Sequence, residues 1–461
     1  MPIRGMNASE WAQLNEMLEA AFKGAERDHR FVRLHQQKPL VDDWSRVYEY
    51  DPEVETGLPL EQKKFVAHCG IWPQEVQYGH ARLWNGGVRD VGTHPVARGK
   101  GYGQPVMADA LDYMFQREVD FSVLFSGANH FYELCGYRGG MHHPSFAITE
   151  EDFERWMGAA TPEESQQQAE IQVRIMEEAD LPRMTEFYEA VGEGLYFAAH
   201  RTLANWQDHF GANPQQYWSF LIAEKEGEII GYLEFDLKSF PGDGTSREVV
   251  VDIQETRAAP NLNDTSNPTL GVLYRSFFIF LQEEALPPTD HLLCATFHQS
   301  KNAPIIGYLL RQGYHLEDKT GMMLGTMCIV TNPYTLFERL TPEIQARLAA
   351  GALPQGQCWV EFDRSGKFPG GARLAVEGAE ASVEITRDPE ALEAWRSDIP
   401  DGIMFNSISD LTLFFAAIVP AEEWEDEGDD AEGTHIAGNG KAWLVGLFSN
   451  VTYDHANLDH Y

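Results

Sequence analysis

The chain lacks several features that would assign it to common classes of protein. Its 461 residues contain no apolar run of about 18 residues, so no membrane-spanning helix is predicted. Its five cysteines are far apart and form no Cys-x-x-Cys pair, which argues against a disulfide framework and a zinc site. We therefore expect reduced core thiols and no metal. The start of the chain has no signal-peptide pattern, and a cytoplasmic protein is predicted.

Basic residues are also scarce. The chain has 35 Lys and Arg against 71 Asp and Glu, a formal net charge of −36. Nucleic acid and anionic membranes would be repelled by such a chain, so neither is expected as a partner. A cationic substrate is compatible with this charge, but solubility explains it equally well. The densest acidic stretch, between Glu422 and Glu432, is typical of a solvated surface loop.

The most informative segment that is present runs from Val91 to Gly103. A strand is predicted to enter a loop with Gly99, Gly101 and Gly103, and the loop opens an amphipathic helix. Backbone N–H groups of a glycine-rich loop can converge on an anion, and a helix N-terminus adds positive charge. The segment therefore predicts a pyrophosphate site, although an ordinary glycine-rich turn before a helix remains an alternative.

Two well-known nucleotide motifs do not fit this loop. A Walker loop needs Ser or Thr after its Gly-Lys pair, whereas Lys100 is followed by Gly101. The Gly-x-Gly-x-x-Gly spacing of dinucleotide-binding folds is absent as well. The spacing found here is Arg-x-x-Gly-x-Gly, formed by Arg98, Gly101 and Gly103.

A second segment, Ala128 to Tyr137, contains Phe-Tyr-Glu-x-x-Gly-Tyr with Tyr132 and Gly136. Together the two segments resemble the acetyl-CoA-binding and catalytic signatures of the GNAT superfamily of N-acetyltransferases. The resemblance implies acetyl-CoA as co-substrate, with the pantetheine arm paired to the strand around Val91 to Thr93. The residues expected to contact the cofactor are Val91, Gly92, Thr93, Arg98, Gly99, Lys100, Gly101, Tyr102, Gly103 and Asn129.

A weak internal repeat follows a polar linker at Thr161–Ala169. Gly313 and Tyr314 repeat the Gly136–Tyr137 pair, but the position four before Gly313 is Leu309 rather than tyrosine. The repeat also lacks an Arg-x-x-Gly-x-Gly loop. It is therefore predicted to be a structural copy without its own cofactor.

The remaining third of the chain predicts a helix near Pro333, short strands from Cys358 onward and a helix at Ser407–Phe415. This order resembles the sterol-carrier-protein-like fold, and the whole layout resembles the Eis (enhanced intracellular survival) family of acetyltransferases. The predicted fold class is α/β (α+β), with tandem GNAT folds and mixed sheets flanked by helices. The predicted domains are residues 1–158 (catalytic), 170–330 (degenerate) and 331–461 (sterol-carrier-like).

Acetyl transfer to an amine needs a proton donor for the departing thiolate. The resemblance assigns this role to Tyr132, since a phenol with pKa near 10 is protonated at neutral pH. A purely packing role between Phe131 and Tyr137 is the alternative. The base that deprotonates the amine stays open, although the Eis resemblance implies the C-terminal carboxylate, here on Tyr461. Cys135 is expected to be a buried thiol rather than a nucleophile.

The sequence thus predicts direct N-acetyl transfer to a cationic amine, such as an aminoglycoside, a polyamine or lysine. The family resemblance further implies a homo-oligomer, specifically a hexamer. Two alternatives stay open. One is a non-catalytic sensor that binds acyl-CoA, and the other is a lipid carrier with a vestigial transferase domain.

Overall fold

The computed structural model describes residues 2–22, 42–139, 142–143, 145–158, 160–211, 219–241, 247–262, 266–298, 303–319, 321–322, 326–416 and 434–448. They form two compact units, each described here by itself. The first unit combines Met1–Met141 with Met323–Val451, and the second is His142–Met322. Mixed sheets flanked by helices occur in both units, which confirms the predicted α/β class.

The strands are β1 (Ile3–Gly5), β2 (Ser45–Tyr50), β3 (Lys64–Tyr78), β4 (Ala81–Thr93), β5 (Phe121–Phe125), β6 (Arg138–Gly139), β7 (His142–His143), β8 (Phe146–Ile148), β9 (Gln172–Ile175), β10 (Tyr196–Ala199), β11 (Phe220–Lys225), β12 (Glu228–Pro241), β13 (Arg247–Ala258), β14 (Asp290–Phe297), β15 (Leu316–Asp318), β16 (Gly321–Met322), β17 (Thr326–Val330), β18 (Gly356–Glu361), β19 (Gly371–Glu377), β20 (Glu380–Thr386), β21 (Asp401–Phe405) and β22 (Thr434–Ala437).

The α-helices are α1 (Trp11–Ala21), α2 (Gly103–Gln116), α3 (Asn129–Glu133), α4 (Glu150–Gly158), α5 (Pro162–Ala169), α6 (Leu181–Gly192), α7 (Leu203–Gly211), α8 (Pro268–Phe280), α9 (Pro304–Arg311), α10 (Pro333–Arg339), α11 (Thr341–Ala349), α12 (Pro389–Asp398), α13 (Ile408–Phe415) and α14 (Gly440–Phe448). None of the helices in the described ranges is long and apolar enough to cross a membrane.

The principal sheet of the first unit has the strand order β1-β2-β3-β4-β5-β17-β6. Within this order the β4–β5 pair is parallel and the other pairs are antiparallel. The predicted helices α1 and α2 are both present, because each carries apolar side chains at helical spacing. Helix α1 buries Leu14, Met17 and Leu18, and α2 buries its own apolar stripe against the other face of the sheet.

The C-terminal part of the first unit has its own five-stranded sheet, ordered β20-β19-β18-β21-β22. It is tied to the principal sheet through Asp120, which is fully buried. Both oxygens of this carboxylate lie 2.8 Å from Nη1 of Arg339, and Thr335 donates its hydroxyl at 2.6 Å. Because a buried carboxylate without partners is strongly unfavourable, this cluster fixes α10 against the first sheet.

The second unit has a sheet ordered β15-β8-β14-β13-β12-β11-β9, in which β13 and β14 form the parallel pair. Helix α8 is buried along most of its length in this unit's main core. Strands β7 and β16 form a separate antiparallel ribbon.

Two features differ from the sequence analysis. The last strand of each of the first two predicted domains lies in the other unit's sheet. Strand β8, from the predicted domain 1–158, pairs in the sheet of the second unit, and β17, from the predicted domain 170–330, pairs in the sheet of the first. The three predicted ranges stay a prediction about the repeats, but they do not coincide with the compact units. The presumed linker at Thr161–Ala169 is wrong, since it forms α5 with a capping box between Thr161 and Glu164 and Pro162 in its first turn.

Candidate active site

The centre of the site is a gap between β4 and β5. The two parallel strands pair at Asn85 with Phe121 and at Val88 with Leu124. Beyond Val88, β4 continues to Thr93, whereas β5 ends at Phe125. The last residues of β4 therefore have a backbone edge that no β5 residue pairs with, and this edge faces the gap.

A β-bulge lies at the start of the gap. Gly70 of β3 pairs with Arg89 and His68 pairs with Gly92, so Cys69 alone faces both Asp90 and Val91. Asp90 has a φ of 51°, a conformation that costs energy for any residue with a side chain. Bulges of this kind bend a strand and redirect its side chains.

The bulge is held by a buried histidine. Nδ1 of His68 lies 2.7 Å from the carbonyl oxygen of Asp90, and Nε2 lies 2.7 Å from the hydroxyl of Ser45. A carbonyl only accepts, so Nδ1 donates and Nε2 accepts from Ser45. Burial lowers the pKa of His68 to about 4, and the ring is neutral at physiological pH.

The backbone of Thr93 points into the gap. The N–H of His94 donates to the carbonyl of Val66 in β3 at 2.9 Å, so His94 and Val66 form a hydrogen-bonded pair of the ladder. Residues alternate between hydrogen-bonded and non-hydrogen-bonded pairs along an antiparallel ladder, so Thr93 directs its N–H away from β3. This geometry is the one that pairing with a pantetheine arm requires.

The glycine-rich loop follows a short helical turn at Pro95–Ala97. Gly99 and Gly101 have φ values of 71° and 84°, and a Cβ atom at either position would meet nothing within 4 Å. Both glycines are exposed, and α2 begins two residues after Gly101. The loop thus presents open backbone at the positive end of a 14-residue helix, as an anion site requires.

The two cations of the loop contact protein carbonyls. The guanidinium of Arg98 donates to the carbonyl of Thr93 at 3.2 Å and to that of Ala21. Nζ of Lys100 lies 2.6 Å from the carbonyl of Gly57. Their side chains therefore brace the loop against α1 and a neighbouring turn, while the ring of Tyr102 packs edge-on against Tyr48.

Tyr132 lies on α3, on the same side of the sheet as α2, and is only 7% exposed. Its ring packs edge-on against Phe131 and Tyr137, with centroids 5.0 and 6.0 Å apart. Burial raises the pKa of the Tyr132 hydroxyl to about 12, opposed by a hydrogen bond with Ser126. The phenol is therefore protonated at neutral pH and is able to donate.

The remaining groups near Tyr132 have structural surroundings. Tyr137 is fully buried, and its hydroxyl lies 2.7 Å from that of Ser122. Asn129 is the half-buried first residue of α3. Burial raises the pKa of both the Cys135 and Cys69 thiols, so neither is a reactive thiolate. The predicted base, Tyr461, lies outside the described residues.

Sequence reasoning missed Arg89, Asp90 and His68. Nε of Arg89 lies 2.9 Å from Oδ2 of Asp90, and Arg89 is only 6% exposed. An Arg-Asp pair in a strand has no sequence feature that marks it as part of a site. The contact between the two side chains depends on the bulge, and the bulge depends on the register between β3 and β4, which no local sequence pattern predicts.

The comparisons with known proteins agree with this geometry. An acetyltransferase (GNAT) domain model matches residues 2–139. Residues 2–139 are a GNAT acetyltransferase domain. The predicted enzyme class, a GNAT-type N-acetyltransferase, is confirmed at the level of this domain, and domains of this class take their acyl group from an acyl-CoA.

Solved structures extend the likeness in fold to the whole chain. A GCN5-related N-acetyltransferase from Anabaena variabilis ATCC 29413 has a TM-score of 0.64 at 15% identity, covering 97% of each chain. A GCN5-related N-acetyltransferase from Kribbella flavida has a TM-score of 0.60 at 15% identity, covering 100% of this chain and 99% of that one. Eis1 from Mycobacterium abscessus has a TM-score of 0.58 at 13% identity, covering 99% and 100%. No curated protein matches the chain in sequence.

Proposed function

We propose that this protein transfers an acetyl group from acetyl-CoA directly to a cationic amine. The observation that carries the proposal is the gap beyond Val88, with an open glycine loop at one end and a protonated Tyr132 beside it. These are the parts that a thioester-to-amine transfer uses, and no covalent enzyme intermediate is required.

Each part has a separate task. The amides of the Gly99–Gly101 loop and the N-terminus of α2 bind the pyrophosphate, and Arg98 and Lys100 hold the loop in place through their carbonyl contacts. The free edge of β4 at Val91–Thr93 pairs with pantetheine and polarises the thioester carbonyl. Tyr132 then gives its proton to the departing thiolate, and Asn129 contributes the start of its helix to the cofactor site.

The acceptor is proposed from charge. A chain with net charge −36 attracts cations over distance, which favours aminoglycosides, polyamines or lysine side chains as acceptors. The likeness in fold to Eis1 over the whole chain supports an Eis-type layout with a sterol-carrier-like C-terminal domain. A hexameric assembly and a cytoplasmic location belong to the proposal through the family resemblance in sequence alone. The resemblance also offers the Tyr461 carboxylate as base.

The experiment is the release of free thiol from acetyl-CoA against a panel of amines, with wild type beside Tyr132→Phe. Turnover on one amine class that falls by roughly 10²-fold in the variant supports the proposal and identifies the acceptor class. Tyr308→Phe is the matched control, because it removes the hydroxyl of a buried tyrosine on α9, the helix that precedes Gly313.

Two outcomes would contradict the proposal. CoA binding without turnover on any amine would favour an acyl-CoA sensor. A lipid that co-purifies with a catalytically silent protein would favour a lipid carrier.

A further inference from the structure

The amine must lose a proton before it attacks, and the described part of the site includes a carboxylate at the β4 bulge. Resting on the proposed acetyl transfer, we propose that Asp90 accepts this proton, directly or through one water. The inference deepens the proposed function by assigning its missing base to a residue of the catalytic domain.

The orientation of Asp90 follows from the pairing of its neighbours. Arg89 faces Gly70, and the guanidinium of Arg89 lies 5.9 Å from the ring centre of Trp72 on the same side of the sheet. Residues with the opposite parity, such as Cys69 and Val88, pack in the core with α2. Arg89 therefore points to the other side, where α1 packs.

The ion pair brings Asp90 to that same side. In a regular strand, successive side chains point to opposite faces and do not meet. Here Nε of Arg89 and Oδ2 of Asp90 are 2.9 Å apart, a contact that the bulge makes possible. Both side chains are largely buried, at 4% and 12% exposure. The carboxylate is thus held on the α1 side, at the start of the gap.

The amine is expected to approach from this side. The α2 side of the gap is occupied by the packed rings of Phe131, Tyr132 and Tyr137. A thioester in the gap would have the Tyr132 hydroxyl on one side and Asp90 on the other. This is the arrangement in which an acid assists the leaving group while a base assists the nucleophile.

Two other titratable groups near the bulge, among the residues that the structure describes, are unsuited to act as the base. Both ring nitrogens of His68 are engaged, by Asp90 and Ser45, and the ring is 1% exposed. Cys69 is fully buried and protonated. Asp90 is a carboxylate that retains 12% exposure and lies in β4 at the start of the gap.

The site also contains an unused donor. Nη1 of Arg89 is buried and has no hydrogen-bond partner among the residues that the structure describes. A buried guanidinium N–H usually has a partner, so a ligand oxygen or an ordered water is expected at this point. Arg89 therefore positions Asp90 through Nε and leaves Nη1 for a polar group next to the amine.

The step balances in protons and electrons. The ammonium gives a proton to the Asp90 carboxylate, and the nitrogen lone pair forms a bond to the thioester carbonyl carbon. The carbon–sulfur bond breaks, and the thiolate takes the proton of Tyr132. After attack the nitrogen loses its second proton to become a neutral amide, and this proton restores the Tyr132 phenolate through solvent. The carboxylic acid of Asp90 returns its proton to solvent, so that one proton is released in each turnover.

The test compares two acceptors in Asp90→Asn. Asparagine keeps the size of the side chain, tolerates positive φ and still accepts from Arg89. With an amine of pKa about 10, we expect kcat to fall roughly 10²-fold. With a hydrazide or aryl amine that is already unprotonated at neutral pH, we expect the variant to retain nearly the wild-type kcat. The KM for acetyl-CoA should not change with either acceptor.

Controls separate chemistry from folding. Asp90→Gly adopts the same backbone angle without strain and should show the same acceptor dependence if Asp90→Asn does not fold. Asp109→Asn is the matched control, because Asp109 also pairs with an arginine Nε, that of Arg46 at 2.5 Å. It should leave both acceptors unaffected. Extending the chain by one alanine displaces the Tyr461 carboxylate, the competing candidate for the base, and activity that survives the extension would favour Asp90.

Three results would overturn the inference. They are an unchanged kcat of Asp90→Asn with the basic amine, an equal fall with both acceptors, and loss of activity on extension past Tyr461 while Asp90→Asn stays active. If wild type turns over neither acceptor, the proposed function itself fails, which is a distinct result.

Discussion

The chain contains two regions with the same order of strands and helices, and only the first carries the glycine-rich loop that is proposed to bind the cofactor. The first copy comprises β3, β4, α2, β5 and α3, and the second comprises β12, β13, α8, β14 and α9. Strand β4 ends at Thr93, a turn begins at Pro95 and α2 begins at Gly103. In the second copy β13 ends at Ala258, a turn begins at Pro260 and α8 begins at Pro268, with identical spacing.

The loops of the two copies have the same length but opposite chemistry. The first carries Arg98-Gly99-Lys100-Gly101-Tyr102, and the second carries Asn263-Asp264-Thr265-Ser266-Asn267. The second loop has no glycine and no cation, and Pro268 removes an N–H from the helix start. The two copies therefore share their spacing, and the proposed anion site rests on the glycines and cations that only the first loop carries.

The helix corners show the same division. Tyr137 donates its N–H to the carbonyl of Tyr132 at 3.1 Å, and Tyr314 donates to that of Leu309 at 3.0 Å. The glycine between them has positive φ in both copies, as a helix C-terminus of this type requires. Leu309 thus occupies the place of Tyr132, so the second copy keeps the helix corner but lacks the hydroxyl that is proposed as the acid.

The bulges differ as well. In the second copy the bulge lies in β13, where Gln254 has no paired residue in β12. The side-chain amide of Gln254 donates to the carboxylates of Asp236 and Asp252. Nearby, the buried Glu255 lies 3.2 Å from Arg201, whose guanidinium lies over Tyr188 and Trp206. In the second copy the polar residues near the bulge form an internal ion pair between Arg201 and Glu255, which indicates a structural role.

The largest expected effect tests that structural role. Arg201→Met removes the guanidinium that lies 3.2 Å from the fully buried Glu255 and should lower the free energy of unfolding by about 3–5 kcal/mol. The kcat of the folded fraction should not change. Chemical denaturation with parallel thiol-release assays measures both. A large fall in kcat at full folding would show that the second copy contributes to catalysis.

The next effect concerns the first loop. Gly99→Val with Gly101→Val places β-branched residues at positive φ, at a cost of about 1–2 kcal/mol for each position. We expect kcat/KM for acetyl-CoA to fall by roughly 10²-fold or more. Ser266→Val, at the corresponding place in the second copy, is the matched control and should have no effect. Equal effects of the two variants would remove the proposed difference between the loops.

A third effect depends on pH. The pKa of His68 is lowered to about 4 in the folded state, so the unfolded chain binds an extra proton between about pH 6.5 and 4. Its contribution to stability is complete above about pH 6.5 and is lost as pH falls, by about 3 kcal/mol at pH 4. Unfolding of wild type and His68→Gln at several pH values measures this. Identical pH slopes would contradict the buried neutral ring.

The smallest expected effect is that of Tyr308→Phe. Tyr308 is buried, and a Cβ at Gly271 would overlap its hydroxyl, so the ring packs directly on α8. Removing the hydroxyl should leave kcat unchanged and alter stability by less than about 1 kcal/mol. A fall in kcat comparable to that of Tyr132→Phe would show that the second copy is not inert.

Local patterns predicted the parts of the site that are local in structure. The glycine spacing, the apolar stripe of α2 and the Phe-Tyr-Glu segment each lie within one loop or helix. The capping box at Thr161 and Glu164 is also a local sequence pattern, and it marks the start of a helix where the polar composition predicts a linker. This segment has no apolar stripe that would indicate a buried helix face, so its composition alone gives the wrong prediction.

Long-range pairing could not be predicted in the same way. The strand β17 pairs with β5 about 200 residues earlier in the chain, and no periodicity within either strand specifies its partner. The bulge at Asp90 depends on the register of β4 with β3. The ring of His68 bridges Ser45 and the Asp90 carbonyl only after the strands have paired. These features arise from the assembled sheet.

The most direct test of the account is the number of CoA molecules bound by each chain, measured by calorimetric titration. We predict one CoA per chain for wild type and for Ser266→Val, and no binding by Gly99→Val/Gly101→Val. Two CoA molecules per chain, or binding that survives in the first-loop variant, would contradict the assignment of the cofactor to the first copy.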